Sequence, residues 1–359
     1  MKNLKIWIAT GGTGGHVFPA LAVAEELIKQ KHSVTISSDA RAWEMVNNNK
    51  PSSTAVAFVW ASGVGARGIF EQLIALSKIG MSTIALTLRF LIFRPDRIVA
   101  FGGYSGVPAI IAGKICRIPV FLHEQNAHIG RANKFAMRFV DTLMTSFPDV
   151  QGIGNKEYGI SVVYTGLPVR KEFLNKKDYR LSTKDFRLLV TGGSLGAQII
   201  DDVVPVAIDK LPTSLKKKLF ITHQTRPAAV PKMQRYYAAN GIRANVVSFI
   251  KDMAGEMSAA DLVISRAGAS TVVELQTLGR PAILVPLTIN PDQPANAAAF
   301  AKSGAGFNVS DKKFTAKWLS LTIAELADNP ARLSKMADKA RVENNAVNNI
   351  IDVLVSNEE

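Results

Sequence analysis

Four short groups of residues could do chemistry, each where an apolar run gives way to small or polar side chains. His16 ends the run Gly11-Gly12-Thr13-Gly14-Gly15. Glycines there let backbone N–H groups approach a phosphate, and an imidazole directly after them is placed for acid or base work, with capping or packing as the plainer reading. His123-Glu124-Gln125-Asn126 follows the apolar Val120-Phe121-Leu122, and four polar side chains at one strand end read as a functional cluster rather than as core. Ser265-Arg266-Ala267-Gly268-Ala269-Ser270-Thr271 follows Leu262-Val263-Ile264. A cation, small residues and hydroxyls at a helix start suit a diphosphate. Glu274, one turn on, could accept from sugar hydroxyls or simply form a surface ion pair, and the amides within residues 290–296 suit a sugar. There is no D-x-D pair, H-E-x-x-H, Walker A loop or G-x-S-x-G. A bound metal, P-loop hydrolysis and serine hydrolysis are unsupported, and neither cofactor nor metal is expected.

The elements that must position these groups are strands of a few apolar residues, each followed by a helical pattern, which predicts an α/β chain with mainly parallel sheets. Residues 4–9 form the first strand, and a helix over 19–30 follows, with Leu21, Ala24, Leu27 and Ile28 on one face. The opening then repeats: Ile8-Ala9-Thr10-Gly11-Gly12 returns half a chain later as Leu189-Val190-Thr191-Gly192-Gly193. Two Rossmann-like halves are expected, divided into residues 1–168 and 169–359 at the turn Thr165-Gly166-Leu167-Pro168. The tail over 331–354 has helical periodicity and could pack on either half. Neither glycine loop fits the dinucleotide fingerprint: residues 11–16 lack the G-x-G-x-x-G spacing and no acidic residue stands about 20 positions after them, so a dinucleotide is disfavoured.

At 359 residues with 47% hydrophobic content, the chain has material for two cores. Its net charge of +14 implies an anionic partner without saying which. The single cysteine, Cys116, excludes an intrachain disulfide and reads as a buried structural thiol. Residues 79–93 are the longest apolar stretch, short of the roughly 20 residues a bilayer span needs, so no transmembrane helix is expected.

Taken together, Gly11-Gly12-Thr13-Gly14-Gly15-His16, Gly102-Gly103-Tyr104, His123-Glu124-Gln125-Asn126, Pro168-Val169-Arg170, Gly192-Gly193-Ser194 and Ser265-Arg266-Ala267-Gly268-Ala269 resemble the MurG family of bacterial glycosyltransferases over residues 4 to 305. The resemblance implies a GT-B fold, two Rossmann-like domains facing a cleft, with the first serving a lipid acceptor and the second a UDP-sugar. It implies transfer of N-acetylglucosamine from UDP-N-acetylglucosamine to the C4 hydroxyl of undecaprenyl-pyrophosphoryl-N-acetylmuramoyl-pentapeptide, by one inverting displacement, in peptidoglycan synthesis. By the same resemblance Thr13, Gly14, Gly15 and Asn126 face the reacting centre, and Arg170 and Ser194 contact the donor. Ile250 sits against the uracil with Phe249 beside it. Ala269, Ser270, Thr271, Val272, Val273 and Glu274 line the diphosphate and ribose, Arg266 meets the leaving charge, and Gln293 holds the sugar. His16 is the candidate general base and Glu124 the runner-up. The chain departs from the family pattern at Leu167, Leu195 and Asn290, where polar residues are usual.

A polyprenyl acceptor implies work at an anionic membrane surface, peripherally, on the cytoplasmic face of the inner membrane, with cell-wall and division proteins as partners. Ile69, Phe70, Leu73, Ile74, Ile84, Leu88, Phe90, Leu91 and Phe93, among Arg67, Lys78, Arg89, Arg94 and Arg97, are the candidate contact, with ordinary helix core as the alternative. Nucleic acid is disfavoured, because the charge is spread over both halves and forms no recognition motif. A UDP-sugar epimerase, a diacylglycerol glycosyltransferase and a silent membrane scaffold remain as other readings.

Overall fold

The structure, a computed structural model, describes residues 3–61, 68–153, 159–175, 185–193 and 196–356. Its contacts divide the chain into Met1–Arg170 with Asn344–Glu359, and Lys171–Glu343.

The strands of the first unit are β1 (Lys5–Ala9), β2 (Ser33–Ser38), β3 (Ala55–Phe58), β4 (Arg97–Ala100), β5 (Val120–Glu124), β6 (Thr142–Thr145) and β7 (Ser161–Tyr164). They form one parallel sheet in the order β3-β2-β1-β4-β5-β6-β7. Its helices are α1 (Gly14–Lys29), α2 (Trp43–Asn49), α3 (Ile69–Ile92), α4 (Val107–Ile115) and α5 (Arg131–Ala136). Because successive side chains of a strand point to opposite faces, β1 serves two cores. Ile6 and Ile8 pack with Val17, Ala20, Leu21 and Ala24 of α1, and Trp7 and Ala9 pack with Leu86 and Phe90 of α3 and Ala109 and Ile110 of α4. Both faces are covered, which is why the strands read as near-continuous apolar runs.

The second unit carries α6 (Lys171–Leu174), α7 (Gln198–Asp209), α8 (Thr213–Lys218), α9 (Val230–Ala239), α10 (Met253–Ala259), α11 (Ala269–Leu278), α12 (Asp292–Lys302), α13 (Ala316–Asp328) and α14 (Pro330–Ala340). Its strands are β8 (Phe186–Thr191), β9 (Leu219–Gln224), β10 (Arg243–Val247), β11 (Leu262–Ser265), β12 (Ala282–Leu284) and β13 (Gly306–Asn308). They too are parallel, ordered β10-β9-β8-β11-β12-β13. The repeated strand-glycine motif thus occupies the same place in both sheets: β1 and β8 are each flanked by strands reached in opposite directions along the chain. At such a switch point the loops after neighbouring strands diverge and leave a crevice at the carboxyl edge.

One feature answers what the sequence left open and a second differs from the sequence reading. The tail ends in α15 (Ala346–Val355), whose apolar stripe of Ile350, Ile351 and Leu354 buries against the α1 face of the first unit. Asn344 Nδ2 and Asn349 Nδ2 then donate to the carbonyls of Leu167 and Thr165, at 3.0 and 3.1 Å. Second, α3 is one helix of 24 residues, long and apolar enough over Phe70–Ile92 to cross a membrane by length and composition. Residues 79–93 understated it, because the helix continues towards its N-terminus through Glu71 and Lys78. One stripe at helical spacing, Ala75, Ile79, Ser82, Leu86 and Phe90, is buried in the unit, and α3 packs on α4.

Candidate functional site

The first unit's site begins where β1 ends. Gly12 has φ +81° and Gly11 abuts Ser105, whose Oγ would lie 2.6 Å from a Cβ at Gly11. The loop therefore has no room for a side chain at one position and a backbone that favours glycine at the next. His16 lies in the first turn of α1, over the loop that follows β4: Nε2 is 3.4 Å from where a Cβ on Gly102 would stand, and Cε1 is 3.8 Å from that point on Gly103. Both glycines have positive φ, +73° and +75°. His16 Nδ1 is shut from solvent and has no hydrogen-bond partner among the described residues, so Nε2 is the nitrogen that can meet a substrate. Burial, helped by the Arg41 charge and opposed by Asp39, lowers its pKa to about 4. At neutral pH it is unprotonated, as a base must be.

Glu124 closes β5, and four donors from its own loop meet its carboxylate. Oε1 accepts from Asn126 N at 2.9 Å and Asn126 Nδ2 at 3.2 Å, while Oε2 accepts from Gly130 N at 2.9 Å and Asn133 Nδ2 at 2.8 Å. Burial pushes its pKa up, against those four bonds. A carboxylate with both oxygens so engaged holds the 126–133 loop in shape and presents Asn126. Asn133 Nδ2 in turn stands 3.3 Å from the Cβ position of Gly102, beside His16. His123, one residue earlier, is fully buried, with its Nε2 2.9 Å from the Gly166 carbonyl oxygen and its ring 5.3 Å from that of Phe101. Since a carbonyl only accepts, Nε2 carries the proton.

In the second unit, α11 starts just after β11. Gly268 caps it without a side-chain bond, and Val272 N already donates to the Gly268 carbonyl at 3.0 Å. The amides of Ala269, Ser270 and Thr271 thus lack partners within the helix, at its positive end. Val272 and Val273 are buried core side chains, and Glu274 is buried too, so it is not the surface residue that an exposed ion pair would need. Arg266 Nη1 donates to the Val285 carbonyl at 2.8 Å and to Asp311 Oδ1 at 3.0 Å, so part of its charge is already matched. Gln293 Oε1 accepts from Leu287 N at 2.9 Å, which fixes the 287–293 loop, and Asn296 Nδ2 donates to the Ala267 carbonyl at 3.1 Å.

The structure thus gathers Thr13, Gly14, Gly15, His16, Glu124 and Asn126 around the β1, β4 and β5 ends, and Arg266, the 269–274 turn and Gln293 around the β11 and β12 ends. Ile250 is buried while Phe249 beside it is 71% exposed, so the open apolar surface there is the phenyl ring. Arg170 closes the first unit's main segment. Ser194 and Leu195 lie outside the described residues, as does Arg67. Of the membrane candidates, Phe90 is core whereas Phe70, Leu73, Ile74, Ile84, Leu88, Leu91 and Phe93 are exposed. Sequence reasoning missed Asp39, Arg41, Asn133 and Asp311. The first two follow β2, the strand beside β1, and polar residues at a strand end next to a switch point were the available signal.

Two family models match the chain: the glycosyltransferase family 28 N-terminal domain over residues 6–145 and the C-terminal domain over residues 187–354. The chain is 40% identical over 344 residues to the Mesorhizobium japonicum UDP-N-acetylglucosamine–N-acetylmuramyl-(pentapeptide) pyrophosphoryl-undecaprenol N-acetylglucosamine transferase, covering 94% of this chain and 90% of the relative. Identity to the protein of that name from Methylobacterium radiotolerans is 38% over 343 residues, covering 94% and 92%. The crystal structure of Acinetobacter baumannii MurG superposes with a TM-score of 0.81 at 30% identity, over 98% of this chain and 99% of that one. A Neisseria meningitidis UDP-GlcNAc 2-epimerase, at 14% identity and a TM-score of 0.68 over 99% and 100% of the two chains, shares the fold alone. With two parallel switch-point sheets, both family 28 domains and relatives alike over nearly its whole length, the chain has the GT-B fold and belongs to the MurG family of N-acetylglucosamine transferases.

Proposed function

We infer that this chain is a hexosyltransferase that moves N-acetylglucosamine from UDP-N-acetylglucosamine to the C4 hydroxyl of undecaprenyl-pyrophosphoryl-N-acetylmuramoyl-pentapeptide, forming UDP and the disaccharide lipid of peptidoglycan synthesis. The observation that carries the reading is His16 over Gly102 and Gly103, next to the Asn133 that binds Glu124, the residue that pins Asn126, in a chain so closely related to transferases of that name. The epimerase reading rests on fold alone, and nothing specific favours the other two.

In the proposed mechanism the acceptor C4 oxygen attacks the anomeric carbon, the bond from that carbon to the UDP oxygen breaks, and His16 takes the hydroxyl proton. Glu124 acts as a positioning group rather than as the base, because its oxygens are engaged with the 126–133 loop. The amides of Ala269, Ser270 and Thr271 meet the growing negative charge of the leaving diphosphate. Arg266, held by Asp311, adds a second positive pole beside them. Glu274 serves the ribose hydroxyls, Gln293 the sugar, Arg170 and Ser194 the donor, and Phe249 with the backbone of Ile250 the uracil. Val272 and Val273 support this turn from the core. The scheme needs no metal.

The exposed face of α3 offers a surface for the acceptor's bilayer. Phe70, Leu88, Leu91 and Phe93 are all more than half exposed, with Arg89 among them. An in-plane contact fits better than a span, because the opposite stripe of α3 is core. A soluble nucleotide sugar and a lipid acceptor support a peripheral site of work at the cytoplasmic face of the inner membrane. The synthesis it feeds underlies cell shape and division, which makes cell-wall and division proteins its expected partners. Replacing Leu88 and Leu91 with Glu should reduce cosedimentation with anionic vesicles at unchanged melting temperature, and undiminished binding would refute this contact.

A further inference from the structure

Asp39 and Arg41 enter none of the roles above, yet they stand at the first glycine loop. Asp39 is fully buried just after β2. Its Oδ1 accepts from Gly12 N at 3.1 Å, and its Oδ2 accepts from Arg41 Nε at 2.9 Å and Arg41 Nη2 at 2.5 Å. The pair fixes the plane of the guanidinium against the loop, with Nη2 3.4 Å from where a Cβ on Gly12 would stand. Glycine at position 12, at φ +81°, leaves that side of the loop open.

Arginines that only brace the fold behave differently here. Arg94 donates through Nη1 and Nη2 to the carbonyls of Cys116 and Arg117. Arg41 instead keeps 54% of its side chain exposed, and among the described residues no acceptor is bonded to its Nη1. A buried carboxylate that orients a solvent-facing guanidinium beside backbone amides makes a preorganised site for an anion with two or more oxygens.

We propose that Arg41 is a substrate-binding residue of the first unit, its Nη1 donating to an anionic oxygen of a diphosphate seated at the 11–15 loop. The proposal rests on the transferase reading, in which donor and acceptor each carry a diphosphate. We assign Arg41 to the acceptor's, because α11 with Arg266 already provides for the donor's in the second unit. The contact also brings the anion next to His16, which faces Arg41, Asp39 and His123. Loss of the Arg41 cation would make that imidazole easier to protonate, so binding and base strength are set by one pair.

The test uses the full chain with Arg41→Gln and Arg41→Lys, measuring UDP release at varied acceptor and varied donor, with UDP affinity by calorimetry. Gln should raise the KM for the lipid acceptor roughly ten-fold or more, as loss of a charged hydrogen bond does, and leave donor KM and UDP affinity unchanged. Lys should recover part of that loss, and the acidic limb of the pH profile should move to higher pH in Gln. Weakened UDP affinity at unchanged acceptor KM would overturn the assignment to the acceptor. Unchanged kinetics, or equal losses in Gln and Lys with a lowered melting temperature, would overturn the binding role altogether. Absence of transfer by the unaltered chain would instead refute the transferase reading, before any variant is compared.

Discussion

Mild acid should loosen the first unit before it stops catalysis, through two histidines. His123 Nε2 donates to Gly166, and its Nδ1 is buried without a partner among the described residues, so protonation would place an N–H where none of them accepts it. Burial lowers its pKa to about 4, with the Gly166 bond opposing and His16 assisting. His16 also falls to about 4, again chiefly by burial. In the unfolded chain both return to about 6.5, so between those values the unfolded state binds more protons and stability falls as pH falls. From pH 7 to 5.5 each contributes a loss of about 1 kcal/mol, or about 2 kcal/mol together, an upper figure because His16 is partly open to solvent. Glu124, with its raised pKa, acts in the opposite sense towards the lower end of that window. Trp7, Trp43 and Trp60 lie in the first unit and only Trp318 in the second, so urea unfolding followed by tryptophan fluorescence reports mainly on the unit concerned. The urea midpoint should drop from pH 7 to 5.5, and His123→Gln should lose about half of that dependence. A flat midpoint in the unaltered chain, or an undiminished dependence in the variant, would refute the account of these histidines.

Other perturbations address the site and its supports. Glu124→Gln should leave two donors of the 126–133 loop facing an amide, costing roughly 1–3 kcal/mol of stability per unmet group and so lowering the melting temperature together with activity; lost activity with an unchanged melting temperature would instead favour Glu124 as the base. Gly102→Ala, at φ +73° with a Cβ 3.3 Å from Asn133 Nδ2 and 3.4 Å from His16 Nε2, should cost roughly 1–2 kcal/mol of stability from backbone strain and depress kcat more than donor affinity. Leu354→Ala, in the buried stripe of α15, should cost about 2–5 kcal/mol, read in the same fluorescence transition as the first unit.

Much of this architecture is legible in the chain itself. The repeat of Thr10-Gly11-Gly12 as Thr191-Gly192-Gly193 marks the two switch-point strands, because the same close backbone approach recurs wherever a parallel sheet opens a crevice. The placement of His16, Asn126 and Ala269 could be read, because each sits within a residue or two of a glycine loop or a strand end. The bonding of Glu124 could not, since a carboxylate before Asn126 looks the same in sequence whether it faces outward or its own loop; the bonds to Gly130 and Asn133 show that it meets the loop. Arg266 invited assignment to the diphosphate alone until Asp311, distant in sequence, was found against it. Nor does periodicity say which side of a helix as apolar as α3 is core. Phe90 and Leu91 are adjacent and alike, yet one is fully buried and the other 67% exposed.

The measurement that bears most directly on the central claim is UDP release from UDP-N-acetylglucosamine by the purified chain in EDTA, with and without a lipid-linked muramoyl-pentapeptide acceptor, alongside His16→Ala. Release should depend on the acceptor, survive the chelator and fall at least about a hundred-fold in the variant, as removal of a general base does. Donor binding without release in the presence of any such acceptor would contradict the assignment. Acceptor-dependent release undiminished in His16→Ala would remove His16 from the chemistry and leave the base to be sought elsewhere.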